Sequence, residues 1–195
     1  MQEAFNREVF KEMIIYIAER CQDKPAFGST HLNKILHYSD FLWYGYTGEA
    51  MSNETYIREK YGQIPAHLPE VSKELEAEGK LKIEERNYFG KVQKRPVVTR
   101  TSNFKFLTIE QRDFIEQIIN AVSDYNASEV SNLIAHQDLS WQYLKNGEAI
   151  PYETVFFRRK NPVSEDTMMW AKSVINEYEG SLRHEEFLRR EGSVV

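Results

Sequence analysis

Apolar residues recur along the first part of the chain at the spacing of an amphipathic helix. Positions i, i+3, i+4, i+7, i+8 and i+11 are occupied by Phe10, Met13, Ile14, Ile17, Ala18 and Cys21. This spacing predicts a helix from about residue 3 to 22. Because Cys21 lies on the apolar stripe, we expect a small core residue with a protonated, unreactive thiol. Glu, Arg and Lys interrupt the same segment, so we expect neither a signal peptide nor a membrane span.

A second helix is predicted after the turn "DKPAFGS", with Ser29 or Thr30 as its N-cap and Gly45 and Gly48 at its end. It carries two stripes, one made of Leu32, Ile35, Leu36, Ser39, Leu42 and Trp43 and the other of His37, Phe41 and Tyr44. A helix that is apolar nearly all round favours burial on both sides. The alternative is an aromatic anchor exposed for a ligand or another macromolecule.

Shorter elements are predicted in the middle of the chain. An extended run around Tyr56 leads into a turn from Gly62 to Pro65, and a helix follows over about 66–77. Between residues 80 and 100, apolar and charged residues alternate on both sides of "NYFG", which indicates a β-hairpin. Pro96 restricts the second strand of this hairpin to a sheet edge or a bulge.

Helical signals return towards the C-terminus. Thr108 and Gln111 form a capping box before an apolar helical face, and "NASEVSNLIAH" predicts a further short helix. A closing helix is indicated by Met168, Ala171, Ile175, Tyr178 and Leu182. We therefore predict a mainly α (α+β) fold, with one helical domain over residues 1–160 that includes a small β-hairpin, and a C-terminal helical extension over 161–195.

The composition is that of a folded, soluble domain. With 195 residues, 41% of them apolar, the chain can bury a core without disulfides, and its single cysteine cannot form an internal one. We therefore expect a cytoplasmic protein with no membrane partner. The formal net charge of −5 argues against nucleic acid as the main partner, because phosphate binding requires a basic surface.

No pattern for catalysis, metal or cofactor binding emerges from the sequence. The single cysteine and the five histidines do not fall at the i, i+4 or C-x-x-C spacing of zinc sites. Neither glycine-rich phosphate-binding motif, G-x-x-x-x-G-K or G-x-G-x-x-G, occurs. We therefore expect no catalytic residues, no bound metal and no cofactor, and we expect a protein that is not an enzyme.

The predicted hairpin is the one local basic segment, and it offers an alternative function. Its cations and those just after it are Lys82, Arg86, Lys91, Lys94, Arg95, Arg100 and Lys105. A hairpin of this kind resembles the wing of a winged-helix DNA binder, in which Lys91, Lys94, Arg95 and Arg100 would contact phosphates. The other interpretation is a solvated edge strand protected by Lys and Pro. The second interpretation is favoured because no neighbouring helix has base-reading side chains.

The order of motifs resembles the Panacea, or SocA-like, antitoxin domain. In "LNKILHYSDFLWYGYTGEAMSNETYIREKYGQIPAHL" the matching residues are Lys34, Ile35, Leu36, Tyr38, Asp40, Gly48, Tyr56, Tyr61, Gly62, Ile64 and Pro65. In "LIAHQDLSWQYLKNGEAIPYE" they are His136, Trp141, Gly147 and Ile150. Gln63 departs from the usual Pro, which leaves the turn less rigid. Ala135 replaces a frequent Ser and its hydrogen bond.

The resemblance implies a cytoplasmic bacterial or phage antitoxin that neutralises a cognate protein toxin by direct binding. One branch of the family delivers its toxin to a bacterial protease, so an adaptor role is a second implication. The rigid aromatic residues fit a binding protein whose anchors are Trp and Tyr. We expect the partner-binding surface to include Trp43, Tyr44 and Tyr46, together with the turn residues Tyr61, Gly62, Ile64 and Pro65. The C-terminal "LRHEEFLRREGSVV" is a further candidate for toxin docking or protease access.

Overall fold

The computed structural model describes residues 4–122, 125–126, 129–130, 143–157 and 169. In this part of the chain there are four α-helices, two β-hairpins and one 3-10 helix. In chain order the elements are α1 (Arg7–Cys21), α2 (Ser29–Thr47), β1 (Tyr56–Glu59), β2 (Gly62–Pro65), α3 (Leu68–Ala77), β3 (Leu81–Tyr88), β4 (Lys91–Val98), α4 (Ile109–Val122) and a 3-10 helix (Tyr152–Phe156). These elements confirm the predicted mainly α (α+β) class.

Helix α1 has the apolar stripe that its sequence predicts. Asn6 caps its first turn by accepting a hydrogen bond from the Val9 amide at 3.2 Å. All members of the predicted stripe are buried, from Phe10 to Cys21. Burial raises the pKa of the Cys21 thiol to about 11, which confirms the expectation of a protonated core thiol.

Helix α2 begins one residue earlier than a side-chain cap would place it. Its N-cap is Gly28, not Ser29 or Thr30, and no side chain caps it. A Cβ atom at Gly28 would lie 2.8 Å from Gln93 Cγ and 3.1 Å from the Lys94 carbonyl oxygen. Ser29 Oγ donates instead to that carbonyl, at 3.0 Å. The start of α2 is thus set by its close packing on β4, a long-range contact that capping rules do not include.

The far end of α2 also differs from the prediction. The helix continues through Gly45 and ends at Gly48, whose φ of 87° is in the left-handed region that favours glycine. A Cβ atom at Gly45 would lie 3.2 Å from a methyl group of Val155. Gly45 therefore serves close packing against the 3-10 helix and does not stop α2.

The segment from Gly62 to Pro65 is a strand, so the predicted turn at these residues is wrong. It pairs antiparallel with β1, from Tyr56 opposite Pro65 to Glu59 opposite Gly62. The turn lies at residues 60–61, and Gly62 follows it with a φ of 120°. Pro65 is tolerated because the sheet has only two strands and Pro65 lies at the end of one of them.

The second hairpin confirms the predicted one. Strands β3 and β4 pair in regular register from Leu81 opposite Val98 to Tyr88 opposite Lys91. The two connecting residues, Phe89 and Gly90, have φ values of 48° and 74°, as a tight hairpin turn requires. Pro96 lies in a two-stranded sheet, where each strand is an edge and the missing amide leaves no ladder position empty.

Helix α3 packs against α1 and β3, and helix α4 packs against α1 and α2. Ion pairs join α1 to α3, with Arg7 3.0 Å from Glu70 and Lys11 3.0 Å from Glu74. At the start of α4, Gln111 Oε1 accepts from the Thr108 amide at 3.0 Å, and Thr108 Oγ1 accepts from the Gln111 amide at 3.2 Å. These two bonds confirm the predicted capping box.

The described residues 4–157 belong to one compact unit, which ends at residue 158. Asn126 and Glu129 make reciprocal capping bonds of 2.7 and 3.1 Å, whereas most of the predicted helix after them lies outside the described residues. The closing helix and the C-terminal tail also lie outside them, so the division at residue 160 stays a prediction. Within the described ranges, no helix is both long and apolar enough to cross a membrane.

Candidate functional site

A buried polar cluster joins α2 to the first hairpin. The Asp40 carboxylate accepts hydrogen bonds from the Ser52 amide at 2.9 Å, from Ser52 Oγ at 2.5 Å and from the Tyr56 hydroxyl at 2.8 Å. All three residues are fully buried. Burial raises the pKa of Asp40 to about 6, although the three hydrogen bonds act in the opposite direction.

Lys34 makes a second buried contact between α2 and the same hairpin. Its ammonium donates to Gln63 Oε1 at 2.9 Å and to the Gln63 carbonyl at 3.3 Å. Gln63, which stands where the family usually has Pro, lies in strand β2, and its side chain is a hydrogen-bond acceptor for a buried cation. Because an unpaired buried ammonium is costly, this contact fixes β2 on the helix.

Glu54 and His67 form a third pair beside the cluster. Glu54 is fully buried, and its Oε1 lies 2.8 Å from His67 Nδ1. The Tyr152 hydroxyl donates to the Glu54 carbonyl oxygen at 2.8 Å. Together these contacts tie the loop before β1 to α3 and to the 3-10 helix. In the described part of the chain, no group of three or more His, Cys, Asp or Glu residues is arranged to hold a metal ion.

An apolar groove opens between the C-terminal half of α2 and the start of α4. Its volume is about 600 Å³, and its walls are Trp43, Tyr46, Ile109, Glu110, Asp113, Phe114 and Gln117. The Trp43 ring packs edge-on against Phe114, with ring centroids 5.3 Å apart. Tyr46 is 76% exposed and Ile109 is 69% exposed. The groove therefore presents aromatic and aliphatic surface to solvent beside two carboxylates.

The structure divides the residues predicted to bind a partner among three places. Trp43 and Tyr46 belong to the apolar groove. Tyr44 is half-buried on another side of α2, where its ring centroid lies 5.5 Å from that of Tyr152. Tyr61 is 72% exposed at the turn between β1 and β2. The other three predicted residues lie in strand β2, where Gly62 and Pro65 are buried and Ile64 is half-buried.

The Tyr61 turn and the apolar groove lie at different ends of α2. Gln63, two residues after Tyr61, contacts Lys34 in the first half of the helix. Tyr46 lies twelve positions after Lys34 in the same helix, a distance of about 18 Å along the axis. The seven predicted residues therefore do not form one continuous surface.

More than half of the chain, residues 32–142, matches the family described as antitoxin SocA-like, Panacea domain. The chain belongs to this antitoxin-like family. The match confirms the resemblance carried by α2 and the Tyr61–Pro65 segment. No curated protein and no solved structure gives a match. Helix α1 precedes the matched Panacea region, yet its buried residues belong to the same core.

The basic hairpin of the Panacea protein offers fewer free cations than its sequence suggests. The guanidinium of Arg95 is buried and donates to the carbonyls of Lys24 at 2.8 Å and Phe27 at 3.0 Å. Lys91, Lys94 and Arg100 are exposed. On the paired strand, Glu84 lies 2.8 Å from Arg86, so the positive charge of Arg86 is paired within the hairpin.

Sequence reasoning missed the part of the groove that α4 contributes. Ile109 and Phe114 lie outside the buried stripe of α4, which consists of Ile115, Ile118, Ile119 and Val122. A second set of apolar residues on a helix already buried on one face is a signal that could have identified them. Their contact with Trp43 depends on how α2 and α4 pack, and no spacing along the chain indicates it.

Proposed function

We propose that this Panacea protein is an antitoxin that neutralises a cognate protein toxin by binding it directly and that performs no chemistry of its own. The family supports an antitoxin-like role. The observation that carries the proposed mode of action is the apolar groove, with Tyr46 76% exposed beside Trp43. Clusters of Trp and Tyr that lose contact with water on association dominate many protein interfaces.

The groove also indicates what kind of surface the toxin presents. Its aromatic and aliphatic residues favour an apolar side chain of the toxin, which would displace water from Trp43 and Tyr46. Glu110 and Asp113 line the groove, and no Lys or Arg is among its described lining residues. Charge complementarity therefore favours a toxin segment in which basic residues flank the apolar one.

Growth rescue tests the proposed function. The product of the neighbouring gene is expressed in a bacterial host, alone and together with the full chain. We expect the neighbouring product to arrest growth and the full chain to restore it. If the neighbouring product arrests growth and the full chain, with both proteins expressed and folded, does not restore it, the antitoxin function is contradicted.

Two matched tyrosine variants test the groove in the same assay. Tyr46 and Tyr61 are 76% and 72% exposed, so Tyr46→Ala and Tyr61→Ala both leave the core unchanged. We expect Tyr46→Ala to weaken toxin binding at least tenfold, about 1.4 kcal/mol, as for an interface anchor. Tyr61→Ala is expected to bind normally. If only Tyr61→Ala loses toxin binding, the interface lies at the turn of residues 60–61 and not at the apolar groove, which contradicts the proposal.

Delivery of the toxin to a protease remains a separate part of the proposal. The C-terminal tail "LRHEEFLRREGSVV", the candidate segment for it, lies outside the described residues. A chain truncated after Gly180 tests this role. If the tail is a protease-access segment, the truncated chain still binds the toxin, but toxin half-life in cells lengthens. If the half-life of the toxin is unchanged, the tail has no role in proteolysis and neutralisation occurs by binding alone.

A further inference from the structure

An acidic cleft lies on the side of α2 that carries Tyr44. Its volume is about 920 Å³, and it runs between the end of α2, the loop before β1 and the segment before and within the 3-10 helix. Among its lining residues, the three carboxylates belong to Glu49, Glu54 and Glu153, and the three aromatic rings to Phe5, Tyr44 and Tyr152. Glu54 and Tyr152 also make structural contacts, since Glu54 pairs with His67 and the Tyr152 hydroxyl donates to the Glu54 carbonyl. The proposed toxin binding uses none of the cleft residues.

Glu54 has one carboxylate oxygen that the fold does not use. Its Oε1 lies 2.8 Å from His67 Nδ1. For Oε2, which is buried, no donor has hydrogen-bond geometry among the residues that the structure describes, and the backbone of Thr55 acts on the carboxylate only by opposing the rise of its pKa. Glu54 lines the cleft although its exposed fraction is 0%. Because a buried carboxylate oxygen without a hydrogen-bond donor is unfavourable, a donor that enters the cleft would be bound favourably.

The charges around the cleft also favour a cation. Glu49 and Glu153 are exposed, and no Lys or Arg is among the described lining residues. The nearby guanidinium of Arg7 is paired with Glu70 at 3.0 Å. Burial raises the pKa of Glu54, and its contacts with His67 and with the Thr55 backbone oppose that rise only in part, so a bound cation would stabilise the charged form further.

The aromatic walls indicate an organic cation. Tyr44 and Tyr152 line the same cleft as the carboxylates. Phe5 lines it as well, but its ring already stacks on His67, with centroids 4.4 Å apart, and has the Arg7 guanidinium 5.6 Å from its centroid. The ring of Tyr152 also stacks on Phe41 at 4.5 Å. Aromatic faces attract ammonium and guanidinium groups and also bury the carbon chains that carry them. A volume of about 920 Å³ is much larger than a single metal ion needs and is typical of sites for whole ligands or side chains.

We propose that the acidic cleft binds a guanidinium or primary ammonium group, with Glu54 Oε2 as its buried acceptor and Glu153 at the rim. This cation chemistry is shared by an arginine or lysine side chain of a bound polypeptide and by a free polyamine. The proposal does not rest on the apolar groove or on the antitoxin function, because the cleft residues and the groove residues are different sets.

Three probes test the cleft by NMR on the ¹⁵N-labelled full chain. N-acetyl-arginine-N-methylamide represents an arginine in a polypeptide, agmatine represents a free amine, and N-acetyl-citrulline-N-methylamide is the neutral control of the same shape. We expect at least one cationic probe to shift the amides of residues 48–55 and 149–153, and the citrulline probe to leave them unchanged. Binding of the capped arginine assigns the cleft to a polypeptide side chain, and binding of agmatine alone assigns it to a free amine.

Matched variants identify the acceptor. Glu54→Gln keeps the shape and removes the charge, and we expect it to weaken cation binding about tenfold or more, as for a lost charged hydrogen bond. Glu153→Gln, which changes an exposed residue, is expected to weaken binding severalfold. Glu85→Gln, on the exposed face of β3, is the control and should bind as the unmodified chain does.

Several results would overturn the proposal. They are the absence of shifts with both cationic probes, equal binding of the citrulline probe, or unchanged affinity in Glu54→Gln. Dispersion of the amide spectrum shows whether each variant is folded. Should Glu54→Gln not fold, Glu153→Gln decides, and an unchanged dissociation constant in that variant would reject the cation site.

Discussion

Asp40 is a carboxylate enclosed in the core, and its hydrogen bonds do not compensate fully for the loss of water. It accepts from Ser52 and Tyr56, yet burial raises its pKa from an ordinary value of 3.8 to about 6. The folded state therefore binds this proton more tightly than the unfolded state does. The stability that protonated Asp40 contributes is present below about pH 4 and is lost as the pH rises through about 6.

Asp40→Asn should remove this pH dependence. We expect the free energy of unfolding of the unmodified chain, minus that of Asp40→Asn, to fall by on the order of 3 kcal/mol between pH 4 and 7. Urea unfolding at several pH values measures both quantities, and Glu85→Gln controls for a general loss of charge. A difference that stays constant would show that folding leaves the pKa of Asp40 unchanged, and one that rises with pH would show that folding lowers it; either result would contradict the raised pKa.

The burial of a single residue could be predicted only where the residue belongs to a regular pattern of apolar positions. Cys21 lies on an apolar stripe, so its burial follows from spacing. Asp40 and Lys34 are polar residues on a helix, and a single sequence gives no reason to bury them. Their partners lie 12 to 29 positions away, and only the packing of the first hairpin on α2 makes burial acceptable.

At the scale of elements, Arg95 connects the second hairpin to the end of α1. Its guanidinium donates to carbonyl oxygens in the turn after α1, including Lys24 at 2.8 Å and Phe27 at 3.0 Å, and it also contacts the Gln22 carbonyl. Cations near a helix C-terminus satisfy carbonyls that lack helical partners. Arg95 is thus a structural residue that β4 contributes to the α1–α2 turn.

Arg95→Met should destabilise the fold by about 2–4 kcal/mol, because several buried carbonyls lose their donor at once. The matched control is Lys94→Met, which changes an exposed cation next to Arg95 and should alter stability by less than about 0.5 kcal/mol. Urea unfolding of both variants measures the difference. Equal effects of the two substitutions would contradict the structural role of Arg95.

Elements with strong local signals follow from the sequence. Of the first hairpin, the sequence predicts the extended run around Tyr56, which is β1, but not the second strand. The apolar stripe of α1, the Thr108 capping box and the alternation in β3 and β4 are all local. The first hairpin has strands of four residues each and a turn at residues 60–61, where Lys60 and Tyr61 carry no turn signal. Gly62 and Pro65 are typical turn residues and therefore favour a turn at these positions, although they are the first and last residues of a strand.

At the scale of the whole molecule, two surfaces with different chemistry lie on different sides of α2. The apolar groove contains Trp43 and Tyr46, and the acidic cleft contains Tyr44 and Glu54. The aromatic segment that follows His37 therefore supplies core residues, one groove and one cleft. Its sequence indicated the aromatic content, but the division into faces required the positions of α4 and the 3-10 helix.

Salt dependence separates toxin binding from DNA binding. We expect toxin affinity to change by less than about fivefold between 50 and 200 mM salt, because apolar anchors dominate and surface charges are screened. Three phosphate contacts from Lys91, Lys94 and Arg100 would instead reduce DNA affinity about 40-fold over this range. The two salt dependences are measured as dissociation constants, over this salt range, for the toxin and for the DNA upstream of the gene.

A triple alanine variant at Lys91, Lys94 and Arg100 is the control for the salt experiment. It should bind the toxin as the unmodified chain does, because the described groove does not include these residues. Tight DNA binding that falls steeply with salt and disappears in the variant would favour the DNA-binding regulator.

Hydrogen–deuterium exchange of the full chain, with and without the purified product of the neighbouring gene, tests the central claim most directly. Direct binding through the apolar groove predicts slower amide exchange in residues 42–47 and 109–117, with residues 60–66 and 86–95 unchanged. Protection confined to residues 60–66 or 86–95, or no protection at any site at saturating partner, would contradict binding of the toxin by this groove.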